Sequence, residues 1–268
     1  MSSAASTEKP LSVVAVAAEL GQLSRRFDLE VMAECDSTNA RLLLQAESGA
    51  PSGRVLAALR QTAGRGRRGR SWFSGADDSL TFSLLWRPPP DTALAGLSLA
   101  VGVALARAFE GLGLPGIALK WPNDVLLSGR KLAGVLIELA SGARPQAVVI
   151  GIGINLRRPP DLPEDLKLTA AALADLGLPL PTASALLARV LEALSEVLAR
   201  FAAEGFSSVR DQWLEKHALQ GCAVRLLSDF AEPLEGFCRG VDSDGALLLA
   251  TAAGTQRVIS GEVTLRPA

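Results

Sequence analysis

Apolar residues recur at helical spacing over residues 11–26, 93–112 and 182–203, and strand-like stretches lie between them. In chain order the pattern predicts a helix over 11–26, a strand over 29–35, a helix from 37 to about 46, and strands over 55–59 and 79–86. The helix over 93–112 has little charge before Arg107 and is expected to be buried. Strand-like flanks then enclose a Pro122-Asn123-Asp124 turn, and Ser128-Gly129-Arg130 turns the chain into a second apolar segment over 131–138. Residues 147–156 read as a buried strand with two glycines, Gly151 and Gly153, the kind of position that admits a close neighbour. Residues 157–167 are rich in proline and charge and read as a loop, with a short helix over 169–176. Thr182 caps an amphipathic helix that Gly205 ends, and 206–218 gives one more. From Gly221 the pattern changes to strands alone, over 222–227, 234–241, 246–251 and 255–262, which fits a small barrel.

Composition sets the scale. A chain of 268 residues, 49% hydrophobic and 21% charged, can bury one large core and still form a small second domain. The expected division is a disordered tail over 1–10, a catalytic domain over 11–218 and a barrel over 219–268, in the α+β class with a mixed sheet packed by helices. Net charge is −1, so general nucleic-acid binding, which needs a wide basic surface, is not expected. Cys35, Cys222 and Cys238 show no metal spacing and read as reduced, mostly buried thiols of a cytosolic protein. Residues 11–20 are apolar but lack a basic run before them and are too short to cross a bilayer, so no signal peptide or membrane partner is expected. His217, the only histidine, stands at a helix end and reads as a surface or helix-end cation.

The candidate chemistry gathers at residues 61–73, where Arg65, Arg67, Arg68 and Arg70 alternate with Gly64, Gly66 and Gly69 before Trp72 and Phe73. Guanidinium forks fit phosphate and carboxylate, and glycines let backbone approach a ligand, so this is a cationic loop for a polyanion such as a nucleoside triphosphate. Like charges and glycine entropy should leave it loose when empty. Gly64-x-Gly66-x-x-Gly69 copies a dinucleotide fingerprint, but Ser71-Trp72-Phe73-Ser74-Gly75 does not read as the first turns of a helix, and Leu156 spoils the match after Gly151-x-Gly153. No GxxxxGK[ST] phosphate loop occurs. Ser37, Thr38 and Asn39 open a helix, where hydroxyl and amide groups can cap or can bind a small polar ligand. Lys131 enters an apolar strand seven residues after Asp124 across a hairpin, which favours a pair over a snorkelling surface lysine.

Residues 64–70, 120–125, 131–138 and 151–155, in that order, with Ser37-Thr38-Asn39 and the terminal strands, resemble the biotin protein ligases over nearly everything after residue 28. The resemblance implies the biotin/lipoate ligase fold with a C-terminal SH3-like barrel. It implies activation of biotin by MgATP to biotinyl-5′-AMP with loss of pyrophosphate, then transfer to a lysine of a biotin carboxyl carrier protein. By resemblance, Ser37, Thr38, Asn39, Gln61 and the backbone near Gly134 form the biotin pocket. Arg65, Gly66 and Arg67 close over biotin and the adenylate phosphate, with Arg70 on the nucleotide side. Lys131 contacts the reacting carboxylate and phosphate, beside Asn123 and Asp124, and Asp124 orients or deprotonates the carrier lysine. Asn155 contacts adenine, and Trp72 or Phe73 supports the nucleotide. No metal ligand is assigned for Mg²⁺.

The chemistry asks for the same parts. Two reacting anions need fixed cations, a mixed anhydride needs exclusion of water, and an attacking amine needs a base. Many relatives carry an N-terminal DNA-binding domain that represses biotin genes. Only 36 residues precede Ser37, so no DNA partner or repressor role is expected. Residues 161–169 hold no aromatic to cover adenine, which leaves Leu166 or Leu168. The alternatives are a lipoate or octanoyl ligase of the same fold and a basic-loop RNA-binding module, and the chain is either a monomer or a homodimer.

Overall fold

A computed structural model describes residues 11–75, 77–141, 146–159, 162–228, 232–259 and 263–267. The expected tail over 1–10 lies outside the described residues. The first helix is shorter than its apolar pattern. Ser12 caps α1 (Val13–Leu20), Gly21 takes φ 56° and ends it, and a 3-10 stretch follows to Arg26. Then come β1 (Asp28–Cys35), α2 (Thr38–Glu47), β2 (Arg54–Gln61) and β3 (Ser79–Trp86). Gly96, left-handed at φ 77°, starts α3 (Leu97–Gly111) four residues later than the pattern suggests. β4 (Ile117–Lys120), β5 (Asp124–Leu127), β6 (Arg130–Leu139) and β7 (Val148–Asn155) complete a seven-stranded mixed sheet in the order β1-β2-β3-β7-β6-β5-β4. β1 and β2 are parallel and every other pairing is antiparallel.

Both faces of this sheet are covered. α2 packs on one face through Leu42 and Ala46 against Leu56, Leu85 and Val149. α3, almost wholly buried, covers the other face with α5 (Ala183–Glu204). That is why β7, in the middle, is a continuous apolar run, while β3 beside it is buried on both faces even though Ser79, Thr81 and Ser83 alternate with its apolar residues. The loop expected over 157–167 and the helix over 169–176 are displaced. α4 (Glu164–Thr169) begins after Pro163, which suits a helix start, and residues 173–176 form only a 3-10 turn.

The helix expected over 206–218 also breaks, into a 3-10 turn and α6 (Arg210–Glu215). Tertiary pairing wins over local propensity there. Leu119 N donates to Lys216 O at 2.7 Å and Ala218 N donates to Leu119 O at 2.8 Å, so this stretch runs along the outer edge of β4. The chain then enters a second, antiparallel sheet of β8 (Ala223–Ser228), β9 (Leu234–Val241), β10 (Leu247–Thr251), β11 (Gly254–Val258) and β12 (Val263–Pro267). Its order is β11-β10-β9-β8-β12, with no closing pair among the described residues. The fourth expected strand stops at Val258, and β12 was missed. Trp121, fully buried, donates its indole N–H to Gly245 O at 3.1 Å and so clamps the second sheet to the β4–β5 turn. No described helix is long and apolar enough to cross a membrane. Cys35 and Cys238 are buried and Cys222 is exposed.

His217 is neither a surface group nor a cation. It is buried, its ring lies 4.4 Å from that of Trp213, and Cys238 Sγ is 3.9 Å from Nε2. Burial pushes its pKa down from 6.5 to about 4, against a smaller upward pull from Gln220. A depressed pKa makes the neutral ring part of the fold. Its contribution, about 3 kcal/mol, is complete above about pH 6.5 and lost as pH falls toward 4. The urea midpoint should therefore drop from pH 7 to pH 5 by more in wild type than in His217→Asn; an equal drop would remove His217 as the cause.

Candidate active site

One cleft of about 610 Å³ collects every residue that the resemblance assigns to the site: Ser37, Thr38, Asn39, Gln61, Arg65, Gly66, Arg67, Arg70, Trp72, Phe73, Asn123, Asp124, Lys131, Gly134 and Asn155. At its floor α2 begins with Ser37, whose hydroxyl caps Ala40 N. Thr38 and Asn39 do not cap; both turn inward and are 3% exposed. Thr38 donates from N to Gln61 Oε1 at 2.8 Å. Ser83, on β3, places its hydroxyl 2.7 Å from Thr38 Oγ1 and 2.5 Å from Asn39 Oδ1. Asn39 Nδ2 donates to Glu138 Oε2 at 2.8 Å. Gly151 gives Asn39 room, since a Cβ there would lie 2.2 Å from its Oδ1.

The arginine run is a tight hairpin. Trp72 N donates to Gly64 O at 2.9 Å and Gly66 N to Arg70 O at 2.7 Å, around left-handed Arg68 and Gly69. The hairpin lays Trp72 on β7, where Gly153 admits it: a Cβ would meet Trp72 Cε2 at 2.3 Å. So both strand glycines serve side-chain approach. Of the two aromatics, Trp72 goes inward and Phe73 stays 49% exposed. Trp72 Nε1 is buried with no acceptor among the described residues, a cost of about 1–3 kcal/mol that a ligand oxygen would remove.

Lys131 and Asp124 meet as their spacing suggested. The β5–β6 register slips between Val125 and Leu126, a bulge that re-aims side chains, and Lys131 Nζ lies 2.6 Å from Asp124 Oδ1. The same amine is 5.8 Å from the Trp72 ring centroid, within cation–π range. Asn123 Nδ2 donates to Val135 O at 2.8 Å, and its Oδ1 accepts from Arg67 at 3.4 Å. Burial lowers the Arg67 pKa, with Asp124 pulling the other way. Asn155 spends its amide hydrogens on the backbone, donating to Ala171 O at 2.9 Å and Lys131 O at 3.3 Å.

Sequence reasoning missed several lining residues. Lys120 opens the Pro-Asn-Asp turn; burial lowers its pKa and Asp124 opposes that. Its place in the block at 120–125 was the available signal. Arg266, from β12, had none. Ser83 and Glu138 are ordinary strand residues until the sheet order places them beside Asn39. Leu166 and Leu168, which the sequence did single out, form an apolar side wall with Leu162, and Leu168 itself is 76% exposed.

Cations dominate the cleft of a chain whose net charge is −1. Arg65, Arg67, Arg70, Lys120, Lys131 and Arg266 line it, with Asp78 and Asp124 the carboxylates among the described lining residues. Field focusing in such a cleft favours a polyanion. Among the described residues no group of three or more His, Cys, Asp or Glu side chains gathers as a metal cage. Magnesium commonly needs none, because phosphates and water supply most of its ligands.

Comparison with known proteins fits this geometry. The model of the biotin/lipoate A/B protein ligase family matches residues 31–155, and that of the biotin protein ligase C-terminal domain matches residues 221–266. The bifunctional ligase/repressor BirA of Escherichia coli is 36% identical over 98% of this chain and 81% of its own. The biotin–[acetyl-CoA-carboxylase] ligase of Paracoccus denitrificans is 38% identical over 87% of this chain and 98% of its own. The biotin protein ligase from Aquifex aeolicus, solved in complex with biotin and ATP, superposes with a TM-score of 0.79 at 33% identity, covering 90% of this chain and 99% of that one. Matched along nearly its whole length, and in both its sheets, the chain belongs to the biotin/lipoate A/B protein ligase family and, within it, to the biotin protein ligases.

Proposed function

We propose that the chain joins biotin to a lysine of a biotin carboxyl carrier domain in two steps inside this cleft. In the first, a biotin carboxylate oxygen attacks the α-phosphorus of MgATP, the bond to pyrophosphate breaks, and biotinyl-5′-AMP remains. In the second, the neutral carrier amine attacks the acyl carbon and AMP leaves. The observation that carries this reading is the Lys131–Asp124 pair, set between a closed polar floor and an arginine hairpin.

Each part has a task. Thr38, Asn39 and Gln61, with Ser83 behind them, offer the donors and acceptors that a ureido ring needs. A lipoyl or octanoyl tail has no polar groups to match them, which favours biotin over the same-fold alternative; the family match sets the RNA-binding module aside. Lys131 and Arg67 neutralise the carboxylate and phosphate as they meet. Arg65 and Gly66 belong to the hairpin that shields the anhydride, and Arg70 faces the polyphosphate. Trp72 supports the ligand from β7, while Asn155 shapes the adenine side through the backbone it holds. Asp124 receives the amine proton. Residues 11–218 carry the chemistry, and residues 219–268 close one side of the cleft through Arg266. The need for ATP and the free thiols favour a cytoplasmic setting.

The test omits the carrier. The chain should release pyrophosphate from MgATP in a burst only when biotin is present, with biotinyl-5′-AMP detected by mass. Release driven equally by octanoate or lipoate, or without any acid, would overturn the reading.

A further inference from the structure

We infer that Glu138 is a positioning residue that ties the arginine hairpin to the floor of the pocket and so slows escape of the adenylate. The inference rests on the function proposed above. Alternation along β6 puts Glu138 on the same face as Gly134 and Leu136, which line the cleft. One of its oxygens has two partners: Oε2 accepts from Asn39 Nδ2 at 2.8 Å and pairs with Arg65 Nη2 at 3.1 Å. Asn39 is 3% exposed and belongs to the floor; the Arg65 side chain is 44% exposed and belongs to the hairpin.

The chain of polar contacts is therefore continuous. It runs from Gln61, which accepts from Thr38 N, through the adjacent hydroxyls of Thr38 and Ser83, whose single Ser83 proton serves one acceptor at a time, to Asn39 and Glu138, and ends on Arg65. Hydrogen bonds in such a chain polarise one another. The partly exposed Glu138 carboxylate accepts from the buried Asn39 amide, and Arg65 adds a charged partner from the hairpin. A ligand bound at Thr38 and Asn39 fixes the floor end of the chain. By linkage, whatever steadies the floor steadies the hairpin, and the reverse holds equally.

The test is a double-mutant cycle with two readouts. Glu138→Gln keeps an acceptor for Asn39 and removes the charge that holds Arg65; Arg65→Gln removes the other partner. Each single variant should release preformed biotinyl-5′-AMP about threefold to fivefold faster, the scale of a partly exposed ion pair. The double variant should be no faster than the faster single, because both lose one interaction. Glu138→Asp should recover part of the loss, and melting temperatures should stay close to wild type. Additive effects, or unchanged release in Glu138→Gln, would overturn the tie. Tryptic cleavage at Arg67, Arg68 and Arg70 of the ligand-free chain supplies the second readout, faster in Glu138→Gln than in wild type. If wild type makes no adenylate, the functional reading fails, and equal cleavage of the two proteins would then sink the tie as well.

Discussion

Lys131→Ala should leave a folded chain that releases pyrophosphate from biotin and MgATP ~10²–10³ times more slowly, the usual loss when one fixed charge contact to a transition state is removed. The fold should survive because the Lys131 side chain is 38% exposed and its removal opens no core cavity. The chemistry should not survive. A carboxylate and a phosphate must approach each other, and Lys131 brings its charge from the bulge in β6 to the point where Asn123, Asp124 and the hairpin converge. Gly134 holds that approach open, since a Cβ there would stand 3.2 Å from the Lys131 amine. Lys131→Arg should recover little, because a planar fork cannot occupy the place of a compact ammonium. A pyrophosphate burst close to wild type in Lys131→Ala, with unchanged circular dichroism, would take Lys131 out of the mechanism.

Asp124→Asn should divide the two steps. Adenylate should still form, because the variant removes a negative charge from a site that gathers anions. Transfer from preformed biotinyl-5′-AMP should slow by ~10²-fold or more, the typical contribution of a positioned base. The pH dependence carries the sign. Wild type can deprotonate the carrier amine locally, whereas the variant depends on amine already neutral in solution. The variant's deficit should thus shrink as pH rises from 7 to 9, toward the ordinary lysine range near 10.4. Single-turnover transfer at both pH values measures this; an unchanged rate, or a deficit independent of pH, would reduce Asp124 to holding Lys131 through the 2.6 Å pair.

Much of this site could be read along the chain because its key pairs are local. The side chains of Asp124 and Lys131 meet across one short hairpin, though their backbones are registered with Gly134 and Leu126, and Ser37 caps a helix whose next two residues point inward. The strand glycines also signalled a close neighbour, though the neighbours proved to be Asn39 and Trp72. The less legible parts depend on sheet order. Ser83 reaches Asn39, and Asn39 reaches Glu138, only because β3, β7 and β6 lie side by side. Arg266 enters from a strand whose pattern was too short to mark. His217 looked like a helix-end cation because the expected helix ran to 218. Pairing with β4 ends that helix early and carries the ring under Trp213 and beside Cys238. At residues 157–167 proline and charge read as loop, with a helix only after them, whereas Pro163 in fact opens α4.

Whether this chain biotinylates a carrier is decided by the intact mass of a biotin-acceptor domain from acetyl-CoA carboxylase, incubated with the chain, MgATP and a mixture of biotin, lipoate and octanoate. The expected product carries one biotinyl group on one lysine, dependent on ATP and lost in Lys131→Ala. An acceptor that stays unmodified, or that gains a lipoyl or octanoyl group instead, would contradict the proposed activity.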